Sequence, residues 1–386
     1  MLTIPVMGTI AELGPTRLRS LDGLRGLAAL VVVIHHAVLM SPLYSASTSN
    51  LFAAGFWSSA ISILKGTPLR LMISGQSAVI VFFIISGFVL ALTLERVERW
   101  NYRPYIIKRV CRIYLPFVVS ILAAAALWSL LRPAPSTEVS DWMNMGWPAN
   151  QLTGWSLFNH LAMTGVEEWL NNPMWSLVHE MRISIVFPLI AWSVRQRPRL
   201  ALAVFFIVWV ASLVVIDFVA DPFLFSLLGT TRTAFFFAIG AAIFFNLDRI
   251  RLLTQSVPKV GLIAAIGVAW LLLMAPAAPK FSPFVLVGAT ILVVLTATDP
   301  MVRGVFEMRI AAWLGRVSYS LYLTHVIVFN VVVSLLAGRL SYAGLVTVAL
   351  VSSLIVAEMA YRLIEEPTMR LGRRLALRPL APTVVS

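Results

Sequence analysis

LRGLAALVVVIHHAVLMS, residues 24–41, carries one formal charge, Arg25 in its second position, and then stays apolar apart from His35, His36 and Ser41. About 20 predominantly apolar residues cross the hydrocarbon core of a bilayer as a helix. A run of this length and greasiness is a span, and nine more follow it, at 77–94, 113–131, 174–193, 200–216, 232–247, 260–276, 283–298, 317–337 and 343–363. The apolar segment 51–64 is short and ends at Lys65, so it reads as an interfacial helix or part of an outer loop. The first 20 residues are polar and mixed and no small-residue cleavage site follows the first run, which is therefore expected to be a retained helix rather than a signal peptide.

Composition agrees. Of 386 residues, 59% are hydrophobic and 12% are charged, against roughly 25% charged in a soluble domain, and the mean hydropathy is +0.88. So few charges cannot cover a water-soluble surface. A cytosolic enzyme, a nucleic-acid-binding protein and a disordered chain are poor readings despite the net charge of +13. The single cysteine, Cys111, excludes a disulfide framework and a cysteine zinc cluster, and no metal site is expected.

Ten spans with the N-terminus inside put Lys65, Arg70, Arg132, Arg232, Lys280 and Arg339 outside and Arg182 within a span, leaving 23 of the 30 basic residues on the inner face. Cytoplasmic loops carry such an excess of Lys and Arg. The fold class is accordingly all-α, a polytopic membrane protein of about ten transmembrane helices with both termini cytoplasmic. It divides into a cytoplasmic segment 1–20, a membrane domain 21–367 and a cytoplasmic tail 368–386. The long outer loop, about 132–173, is rich in aromatic and small polar residues, enough to form a lid or an acceptor site.

Ionisable groups inside a span are costly and mark functional sites by default. Four stand out: His36, Glu180, Arg182 and His325. At 1.5 Å per residue, His36 lies roughly 16 Å beyond Arg25, Glu180 about 9 Å inward from the outer end of its span, and His325 about 13 Å inward from Arg316. A shared depth in the middle to outer half of the membrane predicts one buried site. Arg25 and His36 share a helix face, with Asp22 about 40° off it; Ser318, Tyr322 and His325 share another, and Ser176 and Glu180 a third. Arg182 faces nearly opposite Glu180 and needs a separate partner. His35 points away from His36 and reads as a packing or secondary polar residue.

These stretches also carry a resemblance. Arg25 and His36, with ten residues between them, follow Arg19-Ser-Leu-Asp22-Gly-Leu; then come Phe82-Phe83-Ile-Ile-Ser86-Gly87-Phe88, Lys108-Arg109-x-x-Arg112-Ile-Tyr-Leu-Pro116, Met174-Trp175-Ser176-Leu-x-x-Glu180, Leu314-Gly315-x-x-Ser318-Tyr319-x-x-Tyr322-Leu-x-His325 and Glu366-Pro367. Together they resemble the integral-membrane acyltransferase family 3. The resemblance implies a ten-span enzyme that moves an acyl group, commonly acetyl, from cytoplasmic acyl-CoA to carbohydrates of the cell envelope, exported glycolipids or secondary metabolites. It implies that Arg25 and His36 are essential and that Arg109 and Arg112 help to hold the donor. Met181-Arg182-Ile183-Ser184 departs from the commoner acidic or Gln and aromatic text after Glu180, which points to a different branch. The fused extracytoplasmic hydrolase-like domain of some relatives is not expected here.

The chemistry fits. A histidine of near-neutral pKa suits removal of a hydroxyl proton, and guanidinium groups bind the phosphates of CoA. The expected site is therefore His36 as general base, with Glu180 or Asp22 orienting a histidine or binding sugar hydroxyls. His325, Ser318, Tyr322 and Ser176 lie around the reacting groups, and Arg25, Arg109 and Arg112 at the donor. Acyl-CoA is a co-substrate, no cofactor is permanently bound, and the partners are the bilayer and a carbohydrate or glycolipid acceptor, not nucleic acid. The expected location is a bacterial inner membrane. The competing reading is a proton-coupled transporter or flippase for a sugar or lipid-linked sugar, using the same buried charges as a pathway.

Overall fold

The computed structural model describes residues 15–42, 63–95, 101–275 and 283–377, with side chains from residue 19 onward in the first of these. The described residues are helices and connecting turns, without strands. In chain order the long helices are α1 (Pro15–Leu39), α2 (Gly75–Glu95), α3 (Tyr102–Leu131), α4 (Met174–Gln196), α5 (Pro198–Phe218) and α6 (Pro222–Phe245). After them come α7 (Leu247–Ser256), α8 (Lys259–Leu273), α9 (Pro283–Thr298), α10 (Pro300–Phe306), α11 (Arg309–Leu336) and α12 (Tyr342–Ala376). The interfacial segment expected at 51–64 lies, but for its last two residues, outside the described residues.

Eight of these helices are long and apolar enough to cross a membrane alone. The other two expected spans, α8 and α9, have 15 and 16 residues and are bent by 117° and 97° against the short helices α7 and α10. Hydrogen bonds set their height. Ser77 at the start of α2 donates to Leu273 O at the end of α8 (2.8 Å), and Ser20 near the start of α1 donates to Thr296 O near the end of α9 (3.2 Å). Each short helix thus ends at the level where a long neighbour begins, and with each bent pair counted as one span the described residues hold up to ten crossing helices. Isoleucines and valines exposed on the flanks, Ile207 at 64% and Val260 at 78%, face where lipid would lie.

The helix ends differ from the sequence reading at three places. α6 starts ten residues before the expected 232, because Asp221 caps it by accepting from Leu224 N (2.8 Å) and Pro222 suits its first position. Arg232 is consequently a residue of a helix and not of an outer loop. α3 begins at Tyr102, capped by the Asn101 side chain, so Arg109 and Arg112 lie within the helix. α12 runs past the expected end of the last span at 363, to Ala376.

Both α3 and α12 contain one π turn, Val110–Tyr114 and Tyr361–Glu365. Each turn ends two residues before a proline, Pro116 and Pro367. A proline has no N–H to give to the carbonyl four residues back, and a widened turn just before it absorbs the mismatch; such bulges recur at functional sites. Here the two widened turns carry Arg112 and Glu365.

The contact that builds the site is between α1 and α11. Gly26 and Gly315 lie at their crossing. A Cβ on Gly26 would stand 2.2 Å from the Gly315 nitrogen, and one on Gly315 would stand 2.4 Å from the Asp22 carbonyl oxygen. Small residues allow backbones to approach this closely in membranes. The helices run parallel, and His36 lies ten residues beyond Gly26 as His325 lies ten beyond Gly315. Equal rise from one crossing brings both histidines to one height, about 15 Å further out.

Candidate active site

The polar residues form a column through the bundle. At its inner end Asp22 is in the electrostatic field of Arg25 and Arg112, and Glu365 is in that of the same two arginines while accepting a hydrogen bond from Ser320 (2.6 Å). One layer outward, Arg25 Nη2 approaches Glu180 Oε1 at 4.0 Å, and Ser86 donates to the same oxygen (3.2 Å). Arg25 also lies over the Phe82 ring, 5.9 Å from its centroid. Arg109 is buried, facing Tyr105, Arg112, Glu180 and Arg25. The guanidiniums of Arg25, Arg109 and Arg112 and the carboxylates of Asp22, Glu180 and Glu365 make one cluster.

Above it a narrow cavity of about 20 Å³ is lined by Arg25, Phe82, Ser176, Glu180, Ser318 and Tyr322, among others. That is room for one water-sized group. The Tyr322 and Ser176 hydroxyls are 2.6 Å apart; Ser176 also donates to Pro173 O (3.2 Å), which leaves Tyr322 as the donor between them. Ser318 donates to Gly315 O (2.9 Å).

The outermost layer is the histidine pair. His325 Nδ1 is 3.1 Å from the Leu321 carbonyl, an acceptor only, so this nitrogen carries the proton. His325 Nε2 then has a lone pair, and His36 Nδ1, 2.8 Å away, must be the donor. The two rings are nearly coplanar, 19° apart with centroids 5.0 Å apart. His36 Nε2 is left with a free lone pair, and it makes no hydrogen bond among the described residues. Trp142 stacks on the His36 ring at 5.1 Å and 5°. Thus the backbone carbonyl of Leu321 determines, through two imidazoles, which nitrogen of His36 is basic.

The sequence-derived candidates Arg25, Ser176, Glu180, Ser318 and Tyr322 therefore meet at one cavity, and His36 meets His325. Two expectations are corrected. Glu180 and Asp22 do not orient a histidine: Glu180 is tied to Arg25 and Ser86, and His325 takes the orienting place. Arg109 does not stand at the inner surface but inside the bundle. Arg182 does face away from Glu180 and finds neutral partners: Ser226 and Thr230 hydroxyls (3.0 and 3.1 Å) and the carbonyls of Met163 and Thr164 (3.3 and 2.6 Å). His35 donates to Ile73 O (2.7 Å).

Sequence reasoning missed Ser86, Trp142 and Glu365, all in contact with this column. Ser86 and Glu365 stood in the quoted motif or one residue before it, so their proximity to a motif was the available signal. Trp142 lay in a loop with several other tryptophans and had none. The outer loop folds back over the site. Ser140 donates to Leu39 O (2.6 Å), Asn171 Nδ2 to Leu323 O (2.8 Å) and Trp147 Nε1 to Leu170 O (3.0 Å). His160 in this loop is fully used, donating to Ser156 O (2.8 Å) and accepting from Leu170 N (3.2 Å); burial lowers its pKa. Glu168, in the same loop, has no opposite charge beside it among the described residues, and burial pushes its carboxyl up to about 7.

Comparison with known proteins puts a family to this arrangement. The family model described as an acyltransferase domain, that of acyltransferase family 3, matches residues 18–362. The O-acetyltransferase PaAT-1 of Phomopsis amygdali is 25% identical over 368 residues, covering 79% of this chain and 71% of the relative. The acyltransferase MdmB of Streptomyces mycarofaciens is 29% identical over 194 residues, 47% of this chain and 41% of the relative. No solved structure matches. A match along most of the chain, from the start of α1 into α12, makes this protein a member of acyltransferase family 3, an integral-membrane enzyme of acyl transfer.

Proposed function

We propose that the protein is an acyl-CoA-dependent O-acyltransferase. It moves an acyl group, acetyl in the first instance, to a hydroxyl of a carbohydrate, glycolipid or exported metabolite, from its place in the bacterial inner membrane. The observation that carries this reading is the hydrogen-bonded run from Leu321 O through His325 to His36, which leaves His36 Nε2 as a base. The name of PaAT-1, an O-acetyltransferase, supports the choice of acyl group and of an oxygen acceptor.

In this mechanism the acceptor hydroxyl gives its proton to His36 Nε2 while its oxygen forms a bond to the thioester carbonyl carbon. The tetrahedral oxyanion is met by the Arg25 guanidinium at the cavity, a donor that need not reorganise as the charge appears. The carbon–sulfur bond then breaks, and the His36 proton passes to the CoA sulfur as it leaves. His325 keeps the Nδ1–H tautomer of His36 throughout, the task an aspartate has in hydrolytic triads. Arg109 and Arg112 offer guanidinium hydrogen-bond donors of the inner cluster to the anionic donor. Arg103, Lys108, Arg373 and Arg374 are exposed at the adjacent inner rim, where the starts and ends of α3 and α12 meet and the phosphates of CoA would arrive.

The test is acetyl-CoA cleavage to free CoA by purified protein, with an envelope glycan and glycolipid fraction as acceptor. His36→Ala and Arg25→Ala are expected to lose at least about 10²-fold in kcat. A folded His36→Ala protein that turns over at the wild-type rate overturns the assignment. A transporter or flippase would leave acetyl-CoA intact.

A further inference from the structure

We infer that Trp142 is a positioning residue of the acyl-transfer site, its indole face holding the His36 ring and stabilising the imidazolium that forms when His36 takes the acceptor proton. The inference rests on the reading of His36 as general base and deepens it.

Three observations carry it. First, the stack is close and parallel, 5.1 Å between centroids and 5° between planes. Second, Trp142 is held from outside the histidine pair. It belongs to the short helix Asp141–Asn144, capped by Ser140, whose side chain accepts from Met143 N (3.4 Å). Ser140 is itself tied to the end of α1 by bonds from its hydroxyl to Leu39 O (2.6 Å) and from its N–H to Met40 O (3.0 Å). The Asn144 side chain spans both backbone groups of Ser136 (3.0 and 2.9 Å), and Glu138 accepts from Gly338 N (3.1 Å). A loop tied in this way to α1 and to the turn after α11 fixes the indole over the ring.

Third, among the described residues the charge that develops on His36 has no carboxylate to meet it. His325 and His35 are the titratable groups that act on His36 electrostatically, and its hydrogen-bond partner His325 is neutral. Glu180 is engaged with Arg25 and Ser86 a layer further in. Removing a proton from an alcohol in such a setting places a cation in an apolar surrounding, which costs heavily without compensation. An aromatic face against a desolvated cation supplies that compensation. In the free enzyme the same face keeps the imidazole in the plane where Nδ1 reaches His325, so that Nε2 alone is available.

Packing and electronic roles separate by side-chain choice. Leucine and methionine fill the space without an aromatic face, and phenylalanine restores the face with less bulk. In the full-length purified protein, Trp142→Leu and Trp142→Met are expected to lower kcat for acetyl-CoA cleavage, with the same acceptor fraction, by roughly tenfold. The KM for acetyl-CoA and the unfolding temperature should stay near wild type. Trp142→Phe is expected to recover most of the rate. In a His36→Ala background, Trp142→Leu should cause no further loss, since the residue acts through the histidine. Leu or Met variants with wild-type kcat, or a Phe variant as slow as they are, overturn the proposal while an inactive His36→Ala leaves the base assignment standing. A His36→Ala protein with wild-type kcat instead removes the base and this proposal together.

Discussion

His325 shows how one residue's role depends on a partner 289 positions away. Both histidines were legible in the sequence because an imidazole inside an apolar span needs a reason to be there. Their pairing was not, since rotation of α1 against α11 decides whether Nδ1 of one meets Nε2 of the other. Because Leu321 O fixes the tautomer of both rings, substitutions of His325 should differ in effect. His325→Gln keeps an acceptor for His36 Nδ1–H and should retain part of the activity, whereas His325→Leu should lower kcat by about 10²-fold or more with little change in the KM for acyl-CoA. Equal losses in the two folded variants would refute the orienting role. Glu168 allows a stability test at the same scale. Burial raises its carboxyl to about 7 from an ordinary 4.5, so the folded protein favours the protonated acid. The penalty for ionising it sets in above the unfolded value and is complete once the pH has risen through about 7. Glu168→Gln is therefore expected to unfold near the wild-type temperature at pH 5 and above it at pH 8. A difference that is the same at both pH values would mean that ionisation is not involved.

Between elements, the decisive contact is the crossing of α1 and α11. Gly26 and Gly315 stood in plain view within two of the quoted motifs, yet a glycine in a helix says nothing about what it touches until its partner is known. Their function is steric: each lacks the Cβ that would enter the other helix's backbone. Gly26→Val should push α1 away from α11, and overpacking of a tight contact typically costs about 1–3 kcal/mol. A separation of even 1 Å would break the 2.8 Å bond between the histidines. The expected result is a lower unfolding temperature and a loss of activity larger than the loss of folded protein. Gly267→Val is the control, because nothing lies within 4 Å of a Cβ there, and it should leave both quantities unchanged. If the two variants behave alike, the close crossing does not set the site. The π turns were less legible still. Sequence announces Pro116 and Pro367, but whether a helix kinks, ends or widens before a proline is decided by the packing around it. Here widening places Arg112 and Glu365 on the same inner cluster.

For the molecule as a whole, the ten apolar runs and the lopsided distribution of basic residues already describe the architecture, because lipid leaves a backbone few alternatives to the helix. What they could not show is that α8 and α9 are short. At 1.5 Å per residue, 15 and 16 residues reach roughly 22 to 24 Å, less than the ~30 Å hydrocarbon thickness, so their crossing rests on height rather than length. Crossing puts Phe284, at the start of α9 and 61% exposed, on the outer side together with Met145 of the outer loop, 65% exposed, and puts Leu253 of α7, 60% exposed, on the inner side. A re-entrant pair entering from the inside would leave Phe284 in hydrocarbon. The protein has one native thiol, Cys111, which is buried, so a Cys111→Ala background makes single introduced cysteines readable. An impermeant maleimide added to intact cells should label Met145→Cys and Phe284→Cys, and should label Leu253→Cys only after permeabilisation. Phe284→Cys that stays unlabelled while Met145→Cys reacts would reduce the crossings to eight. The termini would remain on one side, because two re-entrant helices remove an even number of crossings, and the column from Asp22 to Trp142, built on the other helices, would be unaffected.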